Sequence, residues 1–122
     1  MLLRDIVSVN DLFTMQPQYF PDKVKFCLDI ERRVVAVGEE MHTDMEYELY
    51  DDGSDDKNIF GGNILKNPVS VEWEAHPNIA RNRELCIGTG RIITDEETSD
   101  RLREILSYWI RQEAAYDKRR MV

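Results

Sequence analysis

Apolar and polar residues alternate most regularly between Val24 and Ile30, where Val24, Phe26, Leu28 and Ile30 are separated by Lys25, Cys27 and Asp29. A period of two places one set on a buried face and the other opposite it, so a strand is predicted here. Glu31-Arg32-Arg33 interrupts the run, and Val34-Val35-Ala36-Val37 resumes it without alternation. The pair reads as a hairpin whose second strand is covered on both faces, as an interior strand would be. Gly38 ends it.

The flanking pattern predicts shorter elements. Ser8 or Asn10 can cap a short helix that ends before Pro17. Gln18-Tyr19-Phe20-Pro21 follows as a loop whose aromatic pair plugs the edge of a core. Thr43-Asp44-Met45-Glu46 has the form of a capping box and opens a short helix through Tyr50. Asp51 to Asp56 is a turn; Gly53 comes too early, and Glu is missing from the twelfth place, for a calcium-binding EF-hand loop. Asn58–Leu65 is a third strand in which Gly61-Gly62 marks a bulge or a close backbone approach. Val69, Val71, Trp73 and Ala75 alternate with polar residues as a half-exposed strand that ends at His76-Pro77-Asn78.

The stretch 79–93 reads as a polar surface loop followed by a short strand. Thr94-Asp95-Glu96-Glu97 forms a second capping box, and Leu102, Ile105, Leu106, Trp109 and Ile110 make one apolar stripe on the helix it opens. Strands and helices interleave without regular βαβ units. The predicted class is therefore α+β, with a mostly antiparallel sheet of about four strands, a short N-terminal helix, a short middle helix and a C-terminal amphipathic helix packed on it. Residues 1–115 form a single domain, and 116–122 form a charged, frayed tail.

Composition narrows the functional classes. The chain has 122 residues, 42% hydrophobic and 33% charged, with a net charge of −8. A surface this acidic opposes general nucleic-acid binding, which draws on Lys and Arg. No apolar run reaches the roughly 18–20 residues that span a bilayer, and the start lacks the apolar core of a signal peptide, so a soluble, cytoplasmic protein is expected. Cys27 and Cys86 match no C-x-x-C motif and read as free thiols in apolar settings. Acidic residues crowd Asp29 to Asp56, while arginines recur from Arg81 onward; that asymmetry is compatible with a homodimer or another protein partner.

Two groups of side chains are candidates for a site. Glu39, Glu40, His42 and Asp44 lie close together at the end of the second strand. They could ligate a divalent metal, or simply serve as solvated and capping residues at a strand-to-helix junction. Arg81, Arg83 and Arg91 could converge on an anion, with the Gly88-Thr89-Gly90 backbone amides assisting. Neither group contains a nucleophile–base constellation, and no other cofactor motif is present.

Asp29-Ile30-Glu31 followed by Ala36-Val37-Gly38-Glu39-Glu40-Met41-His42-Thr43-Asp44 resembles a family of small prokaryotic proteins of unknown function with the pattern D-I-E…A-x-G-x-E-x-H-x-D. The Asp52-Gly53-Ser54 turn and Asn63-Ile64 are similar too, and the resemblance spans Tyr19 to Ile110. It implies that Glu40, His42 and Asp44 are shared polar positions, and it brings no activity with it. Glu39 stands where the pattern has a second Gly. The functional expectation is a small interaction or regulatory protein. The alternative is a divalent-metal-binding protein or metal-dependent hydrolase built on Glu40, His42 and Asp44.

Overall fold

A computed structural model describes residues 1–112, and the charged tail expected over 116–122 lies outside them. The strands are β1 (Val7–Ser8), β2 (Lys23–Asp29), β3 (Val34–Val37), β4 (Ile59–Leu65), β5 (Ser70–Glu72), β6 (Gly88–Thr89), β7 (Ile92–Ile93) and β8 (Ile110–Arg111). The helices are α1 (Val9–Thr14), α2 (His42–Asp51), α3 (Asn78–Leu85) and α4 (Glu96–Trp109), with one 3₁₀ turn at Asp56–Asn58. The class is α+β, as the pattern predicts. Its centre is a four-stranded antiparallel sheet in the order β3-β2-β4-β5. None of the described helices is long and apolar enough to cross a membrane.

The β2–β3 hairpin forms where the pattern places it, with Cys27 opposite Ala36 and Leu28 opposite Val35. Asp29 closes its turn. The carboxylate, fully buried, accepts from the Glu31 and Arg32 amides at 2.8 and 2.9 Å, and Arg33 takes the left-handed conformation at φ 58°. One expectation is corrected. β3 is an edge strand, and β2 and β4 are the interior ones. Its unbroken apolar run is explained by what seals that edge: the Leu3 amide donates to Val35 O and the Val37 amide to Met1 O, both at 2.8 Å.

The alternation of β2 divides the interior into two cores. Val24, Phe26 and Leu28 face Val35, Val37, Phe60 and Ile64, and Leu12 of α1 and Leu102, Ile105 and Leu106 of α4 cover that side. Burying a side chain such as Phe26 contributes about 1.5–3 kcal/mol. On the opposite face Cys27, Ala36 and Ile59 pack under Met45 and Leu49 of α2. The sheet therefore lies between two helical layers.

Helix caps fall near their predicted positions. Ser8 caps α1 and forms a reciprocal box with Asp11. In α4 the cap is Asp95, whose carboxylate takes the Thr98 amide at 2.9 Å, one residue beyond the predicted Thr94. In α2 the cap is Met41 instead of Thr43; Asp44, in the third helical position, reaches back to the Met41 amide at 3.2 Å. A carboxylate is the stronger acceptor in both cases, so it sets the start of the helix.

Residues 69–75 and 79–93 also depart from expectation. Only Ser70–Glu72 pairs with β4, so the predicted strand to Ala75 is shortened. The loop expected at the start of 79–93 is instead the helix α3, and the short strand expected after it is present as part of the β6–β7 hairpin. The asparagines of α3 explain why a sequence with little apolar periodicity folds there. Asn78, fully buried, accepts from the Gly61 amide at 2.8 Å and donates to Gly61 O at 2.9 Å and Arg91 O at 3.2 Å. One turn later, Asn82 donates to Gly90 O at 2.8 Å and Ile92 O at 2.9 Å. The two amides sit on one face of the helix, four positions apart, and fasten the hairpin to it.

Gly61 and Gly62 are a close backbone approach, and the register through them contains no bulge. A Cβ on Gly62 would lie 2.5 Å from Glu72 O and 2.8 Å from the Phe26 ring; one on Gly61 would lie 2.8 Å from Ala75 Cβ.

Replacing Asn78 by Ala orphans the Gly61 amide and carbonyl inside the protein. The expected loss is about 2–4 kcal/mol in urea unfolding, on the scale set by buried unsatisfied polar groups. A loss under about 0.5 kcal/mol, the range of an ordinary surface substitution, would show that Asn78 holds nothing essential.

Candidate functional site: a cleft of mixed charge on the open end of the sheet

α2 and α3 cover only one end of their face of the sheet. At the other end the same alternation that points Cys27 into the small core brings Lys23 and Lys25 to the surface. The register then builds a row across three strands: Lys25 of β2 is opposite Asn63 of β4, and Asn63 is opposite Glu72 of β5. This row is the floor of a cleft of about 480 Å³. Its walls are the start of α2 (Met41, His42 and Thr43), the segment Glu74–His76, and Arg91 from the β6–β7 turn.

The two lysines are held in place. Lys23 and Lys25 set their ammonium groups over the Phe20 ring, at 5.0 and 4.8 Å from its centroid. Phe20 thus seats two cations, where a plug for the core edge was expected. Burial lowers the Lys25 pKa, and neighbouring Lys23 lowers it further; Glu40 opposes the shift and Arg91 adds to it. Among the described residues, none of Lys23, Lys25, Arg91, Glu72 and Glu74 forms a salt bridge.

Asn63 lies between the two signs of charge. It is 5% exposed, and its Nδ2 donates to Glu72 Oε1 at 2.7 Å and to Glu74 O at 3.3 Å. Two acceptors fix which end of the amide is nitrogen. The oxygen, Oδ1, is then buried without a partner.

The predicted metal candidates are put to separate uses. Glu39 accepts from the Met1 ammonium at 2.8 Å, Asp44 accepts from the Met41 amide, and Glu40 is exposed. His42 Nε2 bonds Gly62 O at 2.8 Å, an arrangement that places the proton on Nε2. Gly61 leaves room for this ring, since a Cβ there would lie 3.3 Å from His42 Cδ2. Among the described residues there is no group of three or more His, Cys, Asp or Glu placed to hold a metal ion.

The three arginines do not converge. Arg91 reaches the cleft, Arg83 is exposed on α3, and Arg81 is buried beside Glu84 at 3.9 Å with Nε unpartnered. Positions two apart on a helix point to nearly opposite sides, so Arg81 and Arg83 could not share a ligand. Both cysteines are free. Cys27 is buried and its thiol pKa is pushed well up, by burial first and then by Glu46 and Glu48. Cys86, expected in an apolar setting, is exposed and left-handed at φ 56° in the cap of α3.

Lys23, Lys25, Asn63, Glu72 and Glu74 were not singled out from the sequence as site residues. The available signal was their place on the polar side of alternating strands. What aligned Lys25, Asn63 and Glu72 into one row is the strand register, which the alternation does not specify.

The fold and its cleft define a small α+β protein with an antiparallel sheet between two helical layers. Residues 1–109 match the DUF5674 family, described as proteins of unknown function, and the chain belongs to that family. No curated protein and no solved structure matches it.

Burial lowers the His42 pKa from 6.5; its bond to Gly62 opposes the shift, and the charges of Lys25, Lys23 and Arg91 add to it. Between the folded pKa and 6.5 the unfolded chain binds more protons, so stability rises with pH in that window. Acidification through 6.5 should therefore cost stability until the folded pKa is passed, and His42→Asn should remove that component. Urea unfolding of both proteins across this range measures it. Identical pH profiles would show that His42 titrates alike in the folded and unfolded chains.

Proposed function

We propose that this protein is a small binding protein, of interaction or regulatory type, whose cleft takes a ligand bearing an anionic group. The observation that carries the reading is the convergence of Lys23, Lys25 and Arg91 on one cavity with no salt bridge among the described residues. Like charges held together in a partly desolvated site repel one another, and the lowered Lys25 pKa follows from burial first and from that crowding second. An anion between them relieves both effects. The start of α2 lines the same cleft, and the N-terminal end of a helix favours negative charge.

Binding is a better description than catalysis for the groups around this cleft. His42 spends Nε2 on a backbone carbonyl, and the Cys27 sulfur donates to His42 O at 3.4 Å inside the core. Neither side chain is paired with the other as nucleophile and base.

Titration of ¹⁵N-labelled protein with inorganic phosphate and with succinate tests the reading. The expected result is saturable amide shifts confined to Lys23, Lys25, the start of α2 and Arg91. Lys25→Glu combined with Arg91→Glu should weaken binding by at least about tenfold, or about 1.4 kcal/mol. Absence of any localised response to either anion at about millimolar concentration, a weak-binding limit near −4 kcal/mol, would sink the proposal.

A further inference from the structure

The geometry points to a zwitterionic ligand, a small molecule of the amino-acid class with a carboxylate at one end and an ammonium group at the other. This inference rests on the cleft being an anion site and adds what the rest of the ligand must be.

Charge on the floor of the cleft is sorted by strand, with Arg91 on the wall beside the Glu74–Ala75 segment. Lys23 and Lys25 lie on β2, Glu72 lies on β5 with Glu74 just beyond it, and Asn63 separates them on β4. Adjacent strands are about 4.8 Å apart, so the positive and negative sides stand on backbones separated by about 10 Å. Side chains of opposite sign facing each other across a cleft would ordinarily close into salt bridges. Among the described residues these do not. Phe20 holds the lysines on one side, and Asn63 holds Glu72 through its Oε1 on the other. The result is a fixed dipolar field across the cavity. A plain anion satisfies half of that field and is repelled by the other half.

Asn63 supplies an independent reason. Both of its Nδ2 hydrogens have acceptors, and its Oδ1 is buried and lacks a donor. An unsatisfied buried acceptor is costly. A carboxylate has no proton to give it, whereas an ammonium group has three. A ligand with its carboxylate toward Lys23 and Lys25 and its ammonium toward Glu72, Glu74 and the Asn63 carbonyl matches the charge of the floor from end to end. Apolar atoms between the two ends would span the row.

Calorimetric titration with 4-aminobutanoate and 6-aminohexanoate, each beside butanoate and hexanoate, tests the inference. At least one amino acid should bind about tenfold more tightly than its deaminated analogue. The paired substitution Glu72→Gln and Glu74→Gln should erase that preference while retaining carboxylate binding, because glutamine still offers Asn63 an acceptor. Amide spectra of the variant confirm that it is folded. If each amino acid binds no better than its analogue, the zwitterion assignment is overturned and the anion site stands. If phosphate binds and neither amino acid does, the zwitterion assignment likewise fails alone. If neither phosphate, succinate nor any of these probes binds, both proposals fail together.

Discussion

The structure depends on how the edge of β4 is satisfied beyond the reach of β5. β4 runs from Ile59 to Leu65, but β5 pairs only with Asn63, Ile64 and Leu65. The Gly61 peptide groups face that unpaired stretch and are buried, where an unmatched amide or carbonyl costs about 1–3 kcal/mol. The Asn78 side chain supplies the missing donor and acceptor at strand-like distances. A single side-chain amide therefore replaces a residue of a neighbouring strand. It also ties down α3, and through Arg91 O it ties down the β6–β7 turn. The position of Arg91 in the cleft wall is a consequence of how a sheet edge is closed.

The glycines belong to the same constraint. With no side chain at Gly61, Ala75 and the His42 ring can approach the strand; with none at Gly62, the Phe26 ring and the Glu72 carbonyl can. His42 then anchors the start of α2 on the Gly62 carbonyl, and Phe26 meets Trp73 edge-on at 5.6 Å in the larger core. The two faces of the sheet are thus coupled at one dipeptide. The cleft lies beside it, where helical cover ends and polar side chains take over the same face.

Electrostatics explains why that end of the sheet stays uncovered. Lys25, Asn63 and Glu72 occupy positions that, nearer α2, are held by Cys27, Gly61 and Ile59. Covering a charged row with a helix would require desolvating both signs of charge without the geometry to pair them, an unfavourable exchange. The polar row therefore limits how far α2 and α3 extend over the face, and a cavity of about 480 Å³ remains.

By itself the sequence determined those features that arise from local periodicity and local chemistry. The alternation of Val24 to Ile30, the Val34–Val37 run and the stripe of α4 identified the hairpin and the main helix, because the apolar area they bury follows directly from their spacing. Ser8, one of the two caps the sequence offers there, starts α1 for an equally local reason. The Gly61-Gly62 pair announced a bulge or a close approach, without saying which or what approaches. Tertiary structure decided the rest. α3 carries few apolar residues, and asparagine has a weak helical preference, so its stability comes from bonds to strands distant in the chain. β3 looked interior because a covered edge and an interior position demand the same apolar residues. The cleft was invisible for a related reason: Lys25, Asn63 and Glu72 are far apart in sequence, and only the register of three strands brings their charges into one row.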